Sequence, residues 1–215
     1  MGQKEIFKMF CGNDEIRPAM LLPFNYKGKV CATDAHILIR CNESDCEFEL
    51  DNPHKPLNTE AAFPSFDSER IVLNKLSDFD KFKIEDELVK QGKDIDCNEC
   101  DGDGEVEWEY RHYNRTDECP VCNGSGFSSE SRLIPNGKKT FNKYAYVSID
   151  GVYFNVNLLV KIFEVHELLG GELISLNIVQ KNKPAAFRLG IYEFLIMPVN
   201  HNEHDVELMK ISFNI

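Results

Sequence analysis

Residues 144–198 have the sequence YAYVSIDGVYFNVNLLVKIFEVHELLGGELISLNIVQKNKPAAFRLGIYEFLIMP. Two apolar runs at the start are joined by Asp150-Gly151, a strong signal for a two-residue β-hairpin turn. Apolar residues then recur at helical spacing from Leu158 to Leu169, after asparagines at 155 and 157 that can cap a helix. Gly170-Gly171 ends this pattern. The stretch therefore predicts a hairpin strand followed by an amphipathic helix.

Three strand-like runs come next, over Leu173–Val179, Ala185–Leu189 and Tyr192–Met197, and Pro198 closes the last one. The N-terminal flank has a similar order, with a short amphipathic helix at Lys4–Phe10 followed by strand-like runs at 17–22 and 30–40. We interpret the two flanks as a two-fold pseudo-repeat. The predicted fold class is α+β, with helices packed on antiparallel sheet.

The charge is concentrated in the middle of the chain. The 215 residues carry a formal net charge of −12, and residues 43–143 alone carry −11, with 13 Lys and Arg against 24 Asp and Glu. Such an asymmetry indicates a composite chain, and the acidity argues against a protein that simply coats nucleic acid. No apolar run approaches the ~20 residues of a membrane span. We expect a cytoplasmic protein with no membrane partner.

Four of the eight cysteines form the strongest local motif. Cys97, Cys100, Cys119 and Cys122 follow the pattern C-x2-C-x18-C-x2-C, and each pair is followed by two glycines in the same register. Four thiolates close a tetrahedral shell, so the motif predicts one structural Zn²⁺. Two disulfides are the alternative, which paired C-x-x-C motifs in a cytoplasmic protein disfavour. The other four cysteines show no ligand spacing.

The repeated C-x-x-C-x-G-x-G resembles half of the cysteine-rich region of J-domain co-chaperones. Those proteins carry four such motifs, whereas this chain carries two and has no J-domain signature. The resemblance therefore implies a zinc module at 94–127. Because the J-domain signature is missing, it does not imply co-chaperone function.

Between the two cysteine pairs, Glu105, Glu107 and Glu109 alternate with Val106, Trp108 and Tyr110. This period of two predicts a strand with one acidic and one aromatic face. A solvated outer face is one interpretation. The other is a protein-docking arm with Trp108, the only tryptophan of the chain, as its anchor.

Two stretches of the flanks resemble the bacterial DNA polymerase sliding clamp, the β subunit. The first runs from Asp14-Glu15-Ile16-Arg17-Pro18-Ala19-Met20 to Ala32-Thr33-Asp34-Ala35-His36-Ile37-Leu38, and it is similar to an Arg-Pro strand followed by Ala-Thr-Asp-Gly-His-Arg-Leu. The second runs from Phe154-Asn155-Val156-Asn157 to the Met197-Pro198 end. Ala35 and Ile37 depart from the pattern, which has Gly and Arg there.

The resemblance implies a single DNA-clamp-like domain of two half-units, formed by residues 1–42 and 144–200. Residues 43–143 would then be an acidic insertion that holds a zinc-binding β-hairpin arm, and residues 201–215 a C-terminal extension.

The resemblance also implies two kinds of site. Clamp helices meet DNA phosphates through basic residues, and the matching helices here offer Lys4, Lys8 and Lys161 beside several glutamates. Clamps also capture short partner peptides in a groove, and the matching positions are Thr33, His36, Leu38, Ile196, Met197 and Pro198. Solvated helix faces and a self-satisfied Thr33-Asp34 turn are the alternatives.

These features favour a non-enzymatic clamp-like accessory protein of DNA replication or repair, which binds double-stranded DNA, partner peptides or both. The alternative is a zinc-containing interaction adaptor that keeps the fold without DNA binding. A metalloenzyme would need an open zinc position, which the motif does not offer. A groove between His36 of one subunit and Met197 of the next predicts a ring, whereas a tail after Pro198 that covers the groove predicts a monomer or small oligomer.

Overall fold

The computed structural model describes residues 1–14, 16–82, 84–129, 131–142, 144–200 and 207–214. It divides into two compact units. The first, which we call the sheet unit, comprises Met1–Ile84 and Phe141–Ile215; the second, the cysteine unit, comprises Glu85–Thr140. Since both ends of the cysteine unit join the sheet unit, the cysteine unit is an insertion in the sequence.

In chain order, the helices are α1 (Gln3–Lys8) and α2 (Val156–Leu169), and short 3₁₀ helices lie at Pro18–Met20, Glu43–Asp45, Glu60–Ala62 and Leu76–Lys81. The strands are β1 (Phe24–Tyr26), β2 (Lys29–Thr33), β3 (Ile37–Asn42), β4 (Arg70–Val72), β5 (Ile84–Gln91), β6 (Ile95–Asp96), β7 (Glu105–Tyr110), β8 (Tyr113–Glu118), β9 (Phe127–Ser129), β10 (Arg132–Phe141), β11 (Ala145–Ile149), β12 (Val152–Asn155), β13 (Ile174–Ser175), β14 (Ala185–Leu189), β15 (Tyr192–Ile196), β16 (Glu207–Lys210) and β17 (Phe213–Asn214).

An antiparallel sheet of eight strands organises the sheet unit, in the order β1-β2-β3-β15-β14-β13-β4-β17. The strands that follow α1 and those that follow α2 meet at its centre, where β3 pairs with β15 from Ile37↔Ile196 to Arg40↔Glu193. A second sheet has the order β12-β11-β16. The predicted α+β class and the helix-backed antiparallel sheet with an internal repeat are confirmed.

One hydrophobic core lies between the helices and the large sheet. Helix α1 buries Ile6 and Phe7, and α2 buries side chains three and four residues apart, including Leu159 and Phe163. The strands contribute every second side chain to this core, such as Phe187 and Phe194. Each such large apolar side chain contributes about 1.5–3 kcal/mol when it is removed from water.

The turn and the cap predicted around α2 are present. Asp150 and Gly151 have φ angles of 51° and 85°, as a type I′ hairpin turn between β11 and β12 requires. The side chain of Asn155 accepts a hydrogen bond from the backbone N–H of Asn157 at the start of α2. Gly170, with a φ of 69°, follows the last residue of the helix.

The cysteine unit is narrower than the predicted insertion at 43–143. Residues 43–84 belong to the sheet unit, where Glu60 pairs with buried Arg40 at 3.0 Å and the Phe79 ring lies 4.9 Å from that of Phe163. These contacts join residues far apart in the sequence. Contacts of this kind produce no periodic pattern in the sequence, so the sequence of residues 43–84 does not show that they belong to the sheet unit.

The chain end also differs from the predicted extension at 201–215. Strand β16 pairs in parallel with β11, and β17 pairs with β4. Glu207–Lys210 and Phe213–Asn214 are therefore strands of the two sheets, while residues 201–206 and 215 lie outside the described residues. The predicted strand at 17–22 is a 3₁₀ helix at Pro18–Met20, because proline has no N–H for a ladder.

Candidate metal centre and binding surfaces

The four cysteines of the C-x2-C motifs lie together in the cysteine unit. All four are buried, and their Sγ atoms lie within 4.8 Å of one another. The Sγ atoms of Cys97 and Cys119 are 3.9 Å apart, and those of Cys100 and Cys122 are 3.7 Å apart. A tetrahedral thiolate site with metal–sulfur bonds of about 2.3 Å has sulfur atoms about 3.8 Å apart. The cluster can therefore hold one metal ion.

Two glycines bring the cysteine knuckles into contact. The backbone N–H groups of Gly104 and Gly126 donate to the Sγ atoms of Cys100 and Cys122, both at 3.3 Å. A Cβ atom on Gly104 would lie 2.5 Å from the carbonyl oxygen of Gly124, and one on Gly126 would lie 2.4 Å from that of Gly102. Both positions also have φ near +80°. Only glycine fits either position without a shift of the facing knuckle.

Backbone carbonyls complete the symmetry of the cluster. The N–H of Cys97 donates to the oxygen of Gly126 at 2.8 Å, and the N–H of Cys119 donates to that of Gly104 at the same distance. Each knuckle is thus fixed by the other knuckle's glycine loop. This arrangement places four thiols around one point without a side chain from any other part of the described chain.

The thiols of this cluster differ in acidity. Burial raises the pKa of Cys100 to about 11. Burial also opposes ionisation of Cys122, but hydrogen bonds from the Gly126 N–H and from the neighbouring thiols outweigh it and lower that pKa to about 7. A metal ion binds thiolates and displaces the remaining protons, so the cluster would take up metal more tightly as the pH rises.

The remaining cysteines lie apart from this cluster. Cys11, Cys31, Cys41 and Cys46 are free thiols in the sheet unit. Burial raises the pKa of Cys11 to about 11 and that of Cys41 to about 12, so neither is a thiolate at neutral pH.

The predicted acidic and aromatic strand is β7, which forms a hairpin with β8. Trp108 is 57% exposed, and it lies opposite Arg115. Tyr110 and Tyr113 face each other at the turn and are 68% and 78% exposed. The hairpin therefore presents an aromatic face to solvent, and Val106 alone packs against the cysteine cluster.

The Thr33-Asp34 motif forms a turn that satisfies its own backbone. The Thr33 hydroxyl donates to the carbonyl oxygen of Ile37 at 2.7 Å and accepts from the N–H of Ala35 at 3.0 Å. A carboxylate oxygen of Asp34 accepts from the N–H groups of His36 and Ile37, both at 2.9 Å. Ala35 has a φ of 78°, in the left-handed region that favours glycine.

The two motifs that carry the groove candidates are hydrogen-bonded to each other within one chain. The N–H of Met197 donates to the carbonyl oxygen of His36 at 2.8 Å, at the end of the β3–β15 ladder. This contact lies within one chain, and the predicted groove between two copies stays a prediction. Of the six groove candidates, His36 is exposed, Met197 and Pro198 are half-buried, and the other three are buried: Thr33, Leu38 and Ile196.

His36 and Pro198 line different cavities. His36 lines one of about 360 Å³ together with Asp34 and the loop that carries Asp14, Arg17 and Met20. Pro198 lines another, of about 510 Å³, beside the β11–β12 turn. The candidates Ile196, Met197 and Pro198 are therefore not part of the cavity beside His36.

Arg17 and Met20 were not predicted as groove residues, although both stand in the Arg-Pro stretch that carries the clamp resemblance. The predicted strand at 17–22 did not place these residues near His36. The 3₁₀ helix at Pro18–Met20 instead turns the chain back, so that the N–H of Gly12 donates to the carbonyl oxygen of Met20.

The three lysines predicted to contact DNA differ in their surroundings. Lys161 on α2 pairs with Asp34 at 3.6 Å, and Lys4 on α1 lies 3.9 Å from Asp51. Lys8 is exposed. Glu164 and Glu167 are also exposed on α2, so the helix surface is not uniformly basic.

In the described part of the chain, no helix has both the length and the apolar character needed to cross a membrane. Comparison with protein-family models gives no match, and comparison with curated proteins gives none.

Bacterial sliding clamps are among the solved structures that the chain resembles. The β subunit of DNA polymerase III from Thermotoga maritima is 11% identical, with a TM-score of 0.42 over 93% of this chain and 63% of that chain. The sliding clamp of Bacillus subtilis is 12% identical, with a TM-score of 0.43 over 93% and 62%. The β subunit from Borrelia burgdorferi is 11% identical, with a TM-score of 0.45 over 93% and 62%. The chain thus spans less than two thirds of each clamp, and likeness at this level says nothing of activity or partners.

Proposed function

We propose that the chain is a non-enzymatic, clamp-like accessory protein of DNA replication or repair, which acts by binding. The observation that supports this best is the pairing of the two clamp-like motifs at the centre of the large sheet, where the N–H of Met197 meets the carbonyl of His36. The motifs lie far apart in the sequence. Beside this pairing, exposed His36 lies on a cavity with Arg17 and Met20, which offers a place for a short partner peptide.

The metal of the cysteine unit is, on this proposal, one structural Zn²⁺. The ligands would be the thiolates of Cys97, Cys100, Cys119 and Cys122. The sulfur–sulfur distances fit the tetrahedral geometry that Zn²⁺ takes with four cysteines, and four protein ligands leave no position for water or substrate. The ion would stabilise the folded unit and supply no catalytic chemistry.

Peptide binding can be tested by NMR titration with a short synthetic peptide from the clamp-binding segment of a replicative polymerase. The proposal predicts shifts at His36, Arg17 and Met20, and at least about tenfold weaker binding for His36→Ala. His54→Ala, which removes another exposed histidine, is the matched control. Shifts confined to other parts of the sheet unit would contradict the proposed groove.

DNA binding can be tested by anisotropy of labelled duplex DNA at increasing salt. A log–log slope steeper than about −3 would support phosphate contacts from the helices, and absence of binding at low salt would contradict them. Lys8→Glu should weaken the binding. Lys55→Glu makes the same charge change on an exposed lysine outside the helices and should leave the binding unchanged.

A second candidate function is an interaction adaptor that keeps this fold without DNA binding. The ion pairs of Lys4 and Lys161 favour it, because a lysine engaged with Asp51 or Asp34 is less available to phosphate. The peptide titration and the DNA titration distinguish the two candidates, since an adaptor would respond only to protein ligands.

A further inference from the structure

Strand β7 is an open sheet edge. Within the described residues it pairs with β8 alone, from Glu105↔Glu118 to Tyr110↔Tyr113, in a sheet of two strands. Natural sheets usually block such an edge with charged side chains, proline or a bulge. The sequence of β7, EVEWEY, has no proline, its register with β8 is unbroken, and its only charges are glutamates, which repel an acidic strand but not a basic one. Its free side is therefore able to accept another strand.

The two faces of β7 define the sequence that would fit beside it. Glu105, Glu107 and Glu109 lie on one face, and Glu118 of β8 lies opposite Glu105 on the same face. Val106, Trp108 and Tyr110 lie on the other. Side chains directly opposite each other across a strand pair interact, and opposite charges stabilise the pair. A complementary strand would thus alternate basic and apolar residues.

The same pattern disfavours two other occupants. If β7 of a second copy paired along this edge with its aromatic residues on the same face, glutamates would lie beside glutamates, which is destabilising. A nucleic acid backbone would be repelled, because residues 94–110 contain eight acidic residues and no lysine or arginine. The charges therefore select a protein segment of opposite charge.

We propose that β7 binds an extended segment of a partner protein by strand addition, with lysine or arginine facing the glutamates and apolar side chains facing Trp108 and Tyr110. Main-chain hydrogen bonds would supply affinity, and the alternation would supply specificity. This site lies in the cysteine unit and goes beyond the groove and DNA contacts proposed for the sheet unit. It rests on the proposed metal only through the fold of the cysteine unit.

The cysteine cluster prepares this edge for binding. Val106 packs against the cysteines, and the N–H of Cys119, directly after β8, donates to the carbonyl of Gly104, directly before β7. Both strands are therefore fixed at the same end as the candidate metal. A strand that is ordered before the partner arrives loses less conformational entropy on binding.

The test uses the full chain loaded with Zn²⁺ and a short synthetic peptide of alternating lysine and valine. Trp108 is the only tryptophan, so its fluorescence reports contact with the aromatic face. Hydrogen exchange followed by NMR should show slower exchange at every second backbone N–H of β7. A peptide of the same composition, with the lysines in one block and the valines in another, should bind at least about tenfold more weakly.

Charge reversal provides the decisive comparison. The double variant Glu107→Lys with Glu109→Lys should bind the lysine–valine peptide about tenfold more weakly and should gain binding of a glutamate–valine peptide. An unfolded variant could not show that gain. Glu167→Lys with Glu172→Lys makes the same charge change at exposed positions of the sheet unit and should bind as the unchanged chain does.

Several results would overturn the proposal: equal binding of the blocked peptide, unchanged exchange in β7, preference for single-stranded DNA over the peptide, or Trp108 fluorescence that depends on protein concentration without peptide. Each leaves the groove at His36 and the metal site intact. The zinc content of every variant, measured in parallel, separates loss of this site from loss of the cysteine unit.

Discussion

The pair of Arg70 and Asp150 connects the turn of the β11–β12 hairpin to strand β4. Both guanidinium Nη atoms donate to the carboxylate, at 2.7 and 2.6 Å, and the N–H of Val179 adds a third hydrogen bond at 2.9 Å. The guanidinium also lies 3.9 Å from the centre of the Phe213 ring in β17. One arginine thus links the two sheets and the chain end.

This pair makes the stability of the sheet unit dependent on pH. The hydrogen bonds from Arg70 hold the pKa of Asp150 below its usual range. The stabilisation is therefore fully present above the unfolded pKa of about 3.9 and is lost as the pH falls through the lower pKa of the folded protein. We expect Asp150→Asn to lower the free energy of unfolding near neutral pH by about 1–3 kcal/mol.

Chemical denaturation at a series of pH values measures this effect. The difference between the unchanged chain and Asp150→Asn should shrink below about pH 4. Asp80→Asn removes an exposed carboxylate and should change stability little. A difference that stays constant down to pH 2 would show that the carboxylate charge of Asp150 is not the cause.

Ala35 holds a backbone conformation that suits glycine. Its φ of 78° is unfavourable for a residue with a Cβ atom by about 1–2 kcal/mol. We expect Ala35→Gly to raise the free energy of unfolding by about 0.5–1 kcal/mol, since glycine is also more flexible in the unfolded chain. Ala61→Gly, in a short 3₁₀ helix, should instead lower it. Thermal denaturation of both variants would check the signs, and a destabilised Ala35→Gly would contradict the strain.

Gly104 is required for the contact between the two cysteine knuckles. We expect Gly104→Ala to release metal to a chelator at least about tenfold faster, because the new Cβ would overlap the Gly124 carbonyl at 2.5 Å. Gly137→Ala is the control: its φ of 82° imposes the same backbone strain, and nothing lies within 4 Å of the added atom. Equal release from both variants would show that strain and not the knuckle contact is decisive.

At the scale of elements, the N-terminus of α2 depends on Asn155. Its side chain accepts from the N–H of Asn157 at 2.8 Å. Asn155→Ala should lower the free energy of unfolding by about 0.5–2 kcal/mol, and Asn155→Asp, which can still accept that hydrogen bond, should keep most of the stability. Denaturant unfolding of both variants measures the difference. Equal losses would mean that the asparagine acts through packing.

Elements with local signals were predictable from the sequence. Helix α2 has helical apolar spacing, a capping asparagine and a terminal glycine, and the hairpin before it has Asp150-Gly151 at its turn. Ile84–Gln91 has no such local signal, and it forms a strand because it pairs with β10, about 50 residues later. Its partner, and not its composition, determines its structure.

The candidate sites also divide into those with a local sequence signal and those that depend on contacts between distant residues. The cysteine cluster was predictable, because short fixed spacings place the thiols on two knuckles. The cavity beside His36 was predicted only in part, since it depends on how the 3₁₀ helix at Pro18–Met20 returns toward Asp34. The open edge of β7 could not be recognised from the sequence, which shows an alternating strand but not what it pairs with.

At the scale of the whole molecule, the chain contains two units with separate sources of stability. The sheet unit has a large apolar core, whereas the buried apolar cluster of the cysteine unit consists of the four cysteines with Val106 packed against them. We expect a unit with so small a core to depend on a bound metal for its fold. We therefore expect Cys97→Ser to unfold the cysteine unit and to leave the NMR spectrum of the sheet unit largely unchanged.

Native mass spectrometry of the chain purified without chelator is the sharpest test of the metal site that we propose for the cysteine unit. We predict one zinc ion per chain in the unchanged protein, none in Cys97→Ser, and one again in Cys11→Ser, which changes a thiol outside the cluster. A metal-free chain whose mass is lower by four hydrogens would show two disulfides in place of a metal site and would contradict the proposed zinc centre.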